Sequence, residues 1–159
     1  MVGEQHSDYS SRADVVALMG KKLEDLVRDL VHADGLAVHD VMHRVKTQES
    51  ATRKVKSDPG KYGSYEDLHD LLGLRVITYL ASDVDLVVAL LRANFEVDES
   101  RSLDKQSGLD PDRFGYLSYH LVAKTNAARV TLMEWAPYDG IHFEIQIRSI
   151  LQHTWAEIE

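Results

Sequence analysis

The run from Ile141 to Arg148 constrains the fold of this chain more than any other stretch. In it Ile141, Phe143, Ile145 and Ile147 alternate without a break with His142, Glu144, Gln146 and Arg148. Side chains two apart on a strand point to the same side of a sheet. The run therefore predicts a strand with one face in a core and the other entirely polar, and it requires partner strands. Elsewhere the period is helical. Val16, Met19, Leu23, Leu26 and Leu30 recur at steps of three and four. That spacing predicts an amphipathic helix over Arg12 to His32, with Ser10 or Ser11 near its cap and residues 1–11 flexible before it.

The remaining elements follow from breakers and caps. Leu36 to Lys46 reads as a strand, Thr47 to Val55 as a short basic helix, and Ser57 to Gly63 as a loop. Ser64 with Asp67 three residues on forms a capping box, predicting a short helix over Tyr65 to Leu71 that runs into a strand, Leu74 to Leu80. Ser82, Asp83 and Asp85 open another helix, with Val84, Val87, Val88 and Leu91 as its buried face. A short strand at Phe95 to Val97 follows, then a polar mobile loop from Ser100 to Phe114. Leu117 to Thr125 and Arg129 to Trp135 read as a hairpin. Ser149 caps a last helix with Leu151, Trp155 and Ile158 on one face, Trp155 being assigned to the core. That stripe reaches Glu159 without a C-cap, so the C-terminus is expected to be truncated. The order of elements predicts an α/β (α+β) fold, a mixed sheet of about five strands flanked by helices.

Composition bounds the function. The 159 residues, 44% hydrophobic and 28% charged, fit a single domain over 1–159 with a real core. Without cysteine there is no disulfide and no thiolate zinc site. No apolar stretch of about 18 residues and no signal peptide are present, so the expectation is a soluble, cytoplasmic protein without a membrane partner. A net charge of −8 opposes broad capture of nucleic acid. The positive charge is local, at Arg44, Lys46, Arg53, Lys54, Lys56 and Lys61. Such a cluster suits a nucleoside triphosphate, or is a solvated lysine-rich helix.

The polar face of the Ile141 strand is either solvated or part of a site. A second carboxylate, Asp70, stands where a helix ends and a strand begins, and two carboxylates brought together at a sheet edge suit Mg²⁺. Other patterns fall short. His39 and His43 have the spacing of a zinc helix but lack its glutamate, the His39-Asp40 and His69-Asp70 dipeptides lack further ligands upstream, and Gly60-Lys61 lacks the earlier glycine of a phosphate loop.

Four stretches carry a resemblance: His43 to Lys54 (HRVKTQESATRK), Asp67 to Ile77 (DLHDLLGLRVI), Phe114 to His120 (FGYLSYH) and Glu144 to Glu159 (EIQIRSILQHTWAEIE). In this order they resemble the synthetase domain of RelA/SpoT alarmone enzymes, in its small alarmone synthetase form, over Leu36 to Glu159. The resemblance implies a nucleotidyltransferase-like fold and transfer of pyrophosphate from ATP to the 3′-hydroxyl of GTP or GDP. It assigns Arg44, Lys46 and Lys54 to the ATP phosphates and Arg75 to the ATP site, where a structural ion pair is the other reading. It assigns Asp70 to Mg²⁺ and Glu144 to Mg²⁺ or to the base beside the attacking hydroxyl. Tyr116 would stack on the acceptor base and His120 would reach the acceptor phosphates, with Gln146 and Arg148 on the same face toward the acceptor. Leu117 and Phe114 depart from the residues common in guanosine-using members. Pyrophosphorylation of a tRNA 3′ end, with an antitoxin partner, therefore stays open, as do a silent nucleotide-binding module and a homo-oligomer.

Overall fold

A computed structural model of the protein describes residues 2–104 and 118–158, with side chains over 8–102 and 118–158. Helix α1 spans Val2–Ala33 and turns Val16, Met19, Leu23, Val27 and Val31 into the core. It begins well before Arg12, so Ser10 and Ser11 lie inside it. The reason is tertiary: the Tyr9 hydroxyl donates to the Lys46 carbonyl at 2.6 Å, and the Tyr9 ring packs edge-on against Tyr65. Gly35, at φ 73°, ends the helix, with its own N–H and that of Leu36 donating to the His32 and Val31 carbonyls. A left-handed residue at that place favours glycine.

Strand β1, Val38–Val45, leads to Thr47, whose hydroxyl accepts from the Ser50 N–H and caps helix α2, Gln48–Ser57. The predicted capping box at Ser64 is present but opens a single 3₁₀ turn, Tyr65–Asp67, before β2, Leu72–Thr78. Helix α3, Ala81–Asn94, buries Val84, Val87, Val88 and Leu91 as expected, with Leu80 rather than Ser82 at its N-cap. Strand β3 runs over Phe95–Asp104, longer than Phe95 to Val97, because it pairs along β4, Tyr119–Thr125. Part of the predicted loop from Ser100 is thus strand, and its remainder lies outside the described residues.

Arg129 to Trp135 is not a strand. Asn126 accepts from the Arg129 N–H through its side chain at 2.9 Å, which starts the 3₁₀ turn Arg129–Thr131; a second turn, Ala136–Tyr138, follows. Only Trp135 and Tyr138 of this stretch reach the core, so its apolar residues gain little by lining up on a sheet face. Strand β5, Phe143–Ser149, pairs with β4 instead, and helix α4, Ile150–Ile158, follows it.

The described strands form one mixed sheet in the order β1-β2-β5-β4-β3, with β2 and β5 parallel and the other neighbours antiparallel. Helices α1 and α3 contact the sheet at β1, β2 and β5. Between them and the sheet lie Val41, Leu72, Leu74, Phe143, Ile145 and Ile147. The opposite face holds the polar residues. Helix α4 contacts β5 and β2. It meets them with His153 and Glu157, while Trp155 is 46% exposed and Leu151 and Ile158 more so. Trp155 therefore does not pack in the core: the helix turns its polar edge to the buried Arg148. No described helix is long and apolar enough to cross a membrane.

Candidate active site

Register alone aligns the polar face. Arg44 on β1 lies opposite Gly73 on β2, which pairs with Glu144 on β5; Arg75 pairs with Gln146, which lies opposite His120 on β4. Gly73 puts no side chain between Arg44 and Glu144. A Cβ there would meet no atom closer than the Arg44 carbonyl, at 3.8 Å.

Asp70 sits at the foot of β2. Lys46, just past β1, and Lys54, on α2, donate to its Oδ2 at 2.9 and 2.8 Å. Burial pushes the Asp70 carboxyl upward, but the hydrogen bonds and charges of Lys54 and Lys46 outweigh it and hold the pKa below its ordinary value. The same contacts overcome the effect of burial on Lys54 and raise its pKa. Asp70 Oδ1 is buried and has no hydrogen-bond partner among the described residues. Glu144 is ionised below its ordinary range chiefly through His120, whose Nδ1 lies 3.4 Å from Oε1; Gln146 donates to the same oxygen at 3.1 Å.

Two cavities flank this pair. One, of about 260 Å³, is lined by Arg44, Lys46, Arg75 and Gln146. The other, of about 600 Å³, is lined by Lys54, Lys61, Tyr62, His69, Arg101 and His142. Asp70 and Glu144 line both. The donor set fits a hard cation. Two ionised carboxylates, one with a buried orphan oxygen, match the way Mg²⁺ is held by one or two carboxylates with water and phosphate oxygens completing its shell. No described cluster of three or more acidic or histidine side chains is arranged to hold a metal.

Of the predicted site residues, Arg44, Lys46, Lys54, Asp70, Arg75, Glu144 and Gln146 line these cavities, and His120 stands against Glu144. Arg75 is also 4.0 Å from Glu157, so it contributes to the cavity and to an ion pair together. Arg148 shares the strand parity of Glu144 but not its surroundings. It is 2% exposed, beside Ile77 in the ladder, and its Nη2 donates to His153 Nδ1 at 2.6 Å and lies 3.6 Å from Glu157. Helix α4 meets this end of the sheet, so Arg148 is not among the residues lining either cavity. Tyr116, with Phe114, Gly115 and Leu117, lies outside the described residues.

The larger cavity is also lined by residues that the sequence does not single out as site residues, His69, His142 and Arg101 among them. His69 and His142 stack at 4.4 Å, and Arg101 contacts His69. Burial first, then neighbouring positive groups, hold both histidine pKa values below normal. For His142 a signal existed: alternation puts it on the face of Glu144, two residues away. His69 stands out in the sequence only as part of a dipeptide, and Arg101 falls in the expected loop.

A mixed sheet whose polar face gathers two carboxylates among lysines and arginines defines an α+β domain with a charged cleft on that face. Residues 43–159 match the family described as the region found in RelA / SpoT proteins, and the chain belongs to that family. It is 28% identical over 134 residues to the GTP pyrophosphokinase YwaC of Bacillus subtilis (strain 168), an alignment covering 82% of this chain and 60% of the relative. The chain thus spans about three fifths of that curated relative's length. The fold matches small alarmone synthetase 2 from Bacillus subtilis with a TM-score of 0.74 at 24% identity, over 95% of this chain and 77% of that one. It matches small alarmone synthetase 1 from the same organism, bound to its product pppGpp, with a TM-score of 0.65 at 26% identity, over 91% and 73%.

Proposed function

We propose that the chain transfers pyrophosphate from ATP to the 3′-hydroxyl of GTP or GDP, forming pppGpp or ppGpp and AMP, with Mg²⁺ at Asp70 and Glu144. The observation that carries this reading is that these two carboxylates form the shared wall of two cavities. A group passed from a nucleotide on one side to a nucleotide on the other must cross that wall. The name of the curated relative and the product bound to the solved neighbour support the same substrates.

In this reading the smaller cavity takes the donor. Arg44 and Lys46 converge on its polyphosphate, with Lys54 reaching it from α2 and Arg75 beside it. Fixed cationic donors aimed at growing phosphoryl charge contribute most in a site closed to water. Lys46 and Lys54 already neutralise Asp70, so the pocket is organised before substrate arrives. Magnesium, when bound, neutralises the polyphosphate oxygens and makes the β-phosphorus more open to attack. The bond from the acceptor 3′-oxygen to the β-phosphorus forms as the bond to the α-phosphate oxygen breaks, and AMP departs. Glu144 is held at Oε1 by His120 and Gln146, so its Oε2 is the oxygen left for the metal or, in the alternative role, for the hydroxyl proton, which otherwise passes to water. His120 and Tyr116 serve the acceptor.

Incubation with ATP, Mg²⁺ and GTP, GDP or tRNA in parallel tests the reading. AMP with pppGpp or ppGpp is the expected result. Label from ATP appearing only on tRNA moves the acceptor to the tRNA 3′ end, and nucleotide binding without any AMP supports a silent module.

A further inference from the structure

Two histidines stand at the feet of the two carboxylate-bearing segments. His69 directly precedes Asp70, and His142 lies two residues before Glu144. Their rings are stacked, with centroids 4.4 Å apart and planes 29° from parallel. This contact occurs where the sheet supplies none. The parallel ladder between β2 and β5 starts at the pair Gly73 and Glu144, so Asp70 hangs below the first rung. The backbone beside Asp70 is tied to the other neighbour, through the Lys46 N–H donating to the Leu71 carbonyl at 2.7 Å.

Glu144 is thus fixed by the ladder, whereas Asp70 is fixed by its two lysines. Those lysines are the groups that donor phosphates compete for. Once Lys46 and Lys54 turn to a polyphosphate, the imidazole stack still ties the Asp70 segment to the strand that carries Glu144. Arg101 on β3 buttresses it: Nη1 lies 2.7 Å from His69 Nε2, and Nε lies 3.5 Å from Asp98 Oδ2. Metal affinity depends on such supports, because two ligands must hold their separation to within a fraction of an ångström.

We propose that the His69–His142 stack is a strut that sets the separation of Asp70 and Glu144, making both histidines positioning residues for the cation the carboxylates take. The inference rests on the reading of the site as a magnesium-dependent donor site. A planar ring at either position is what the strut needs; ring nitrogens are secondary.

Calorimetric binding of the non-hydrolysable donor α,β-methylene-ATP, titrated with and without Mg²⁺, tests it without turnover. In His142→Ala the Mg²⁺-dependent part of the affinity falls about tenfold or more, the usual scale for losing a support behind a metal ligand. Binding without metal, which reads the arginine and lysine grip and the integrity of the fold, stays within about twofold in the same variant. His142→Phe and His69→Phe return to within about threefold of the unmodified protein, since a phenyl ring stacks in place of imidazole. If the alanine variant does not fold, His142→Gln removes the ring and gives the same comparison. Unaltered Mg²⁺ dependence in the ring-less variant overturns the strut alone, as does a phenylalanine variant as damaged as alanine. Absence of any Mg²⁺ effect in the unmodified protein overturns the reading of the site and the strut with it.

Discussion

Asp70 carries two ammonium partners on one oxygen and none on the other, an unequal arrangement for a buried carboxylate. Neutralising it leaves Lys46 and Lys54 sharing a site without a counter-charge and removes one side of the cation site. Asp70→Asn is expected to lower kcat/KM by about a hundredfold or more, the several kcal/mol that a metal-supported transition state represents. Steady-state rates with ATP varied at fixed GTP check this; a loss below about threefold contradicts the assignment. Gly73 makes a different point. Valine suits a strand and the backbone leaves room for a Cβ, but its methyl groups would project between Arg44 and Glu144. Gly73→Val should keep the melting temperature near that of the unmodified protein and raise the KM for ATP about tenfold or more, by displacing the donor from its attack geometry. Normal KM in a folded variant would mean the donor lies elsewhere.

Among the elements, α1 and β1 meet at a glycine that helix propensity alone would replace. A Cβ on Gly20 would fall 2.6 Å from His43 Cδ2 and 2.8 Å from Leu72 Cδ1. His43 cannot swing away freely, because its Nδ1 is paired with Glu24 on the same helix. Exposed Gly→Ala substitutions inside helices gain up to about 1 kcal/mol. Gly20→Ala is expected to lose about 1–3 kcal/mol instead, through overpacking, as urea denaturation would measure. Stabilisation would show that the interface has slack. Helix α4 brings a pH dependence. Burial first, then the charges of Arg148 and Arg75, hold the His153 pKa below its ordinary 6.5. The unfolded chain therefore binds the proton first on acidification. Stability from this group is complete above the unfolded value and declines as pH falls through it. The melting temperature should drop between pH 7.5 and 5.5, about one unit either side of the free-histidine value. The drop should be smaller in His153→Gln, whose side-chain oxygen still accepts from Arg148. An equal drop in both proteins would mean that His153 does not carry the pH dependence.

For the whole molecule, the strict alternation at Ile141 made the fold legible, since one strand with a wholly polar face implies a sheet with one side left for chemistry. Its parity also put Glu144 and Gln146 on the right side. Parity did not reveal depth: Arg148 has the same parity and is buried, because what covers a strand's end is set by a helix packed through its polar edge. Asp70 as a second carboxylate and Lys46 and Lys54 as part of a cationic cluster are legible in the sequence, but their mutual pairing needs coordinates, since twenty-four residues separate Lys46 from Asp70. The hairpin at Arg129 failed because a side-chain cap at Asn126 outweighed a weak apolar pattern. The stacked histidines were illegible for the same reason as the lysine pairing: contacts between distant segments leave no local period.

Anomalous diffraction from crystals grown with Mn²⁺ and α,β-methylene-ATP locates the cation and the donor directly. A metal peak is expected about 2.2 Å from carboxylate oxygens of both Asp70 and Glu144, the usual reach of a hard divalent cation. The triphosphate should lie against Arg44, Lys46 and Arg75. A metal bound away from either carboxylate, or a donor seated in the larger cavity, would contradict this placement.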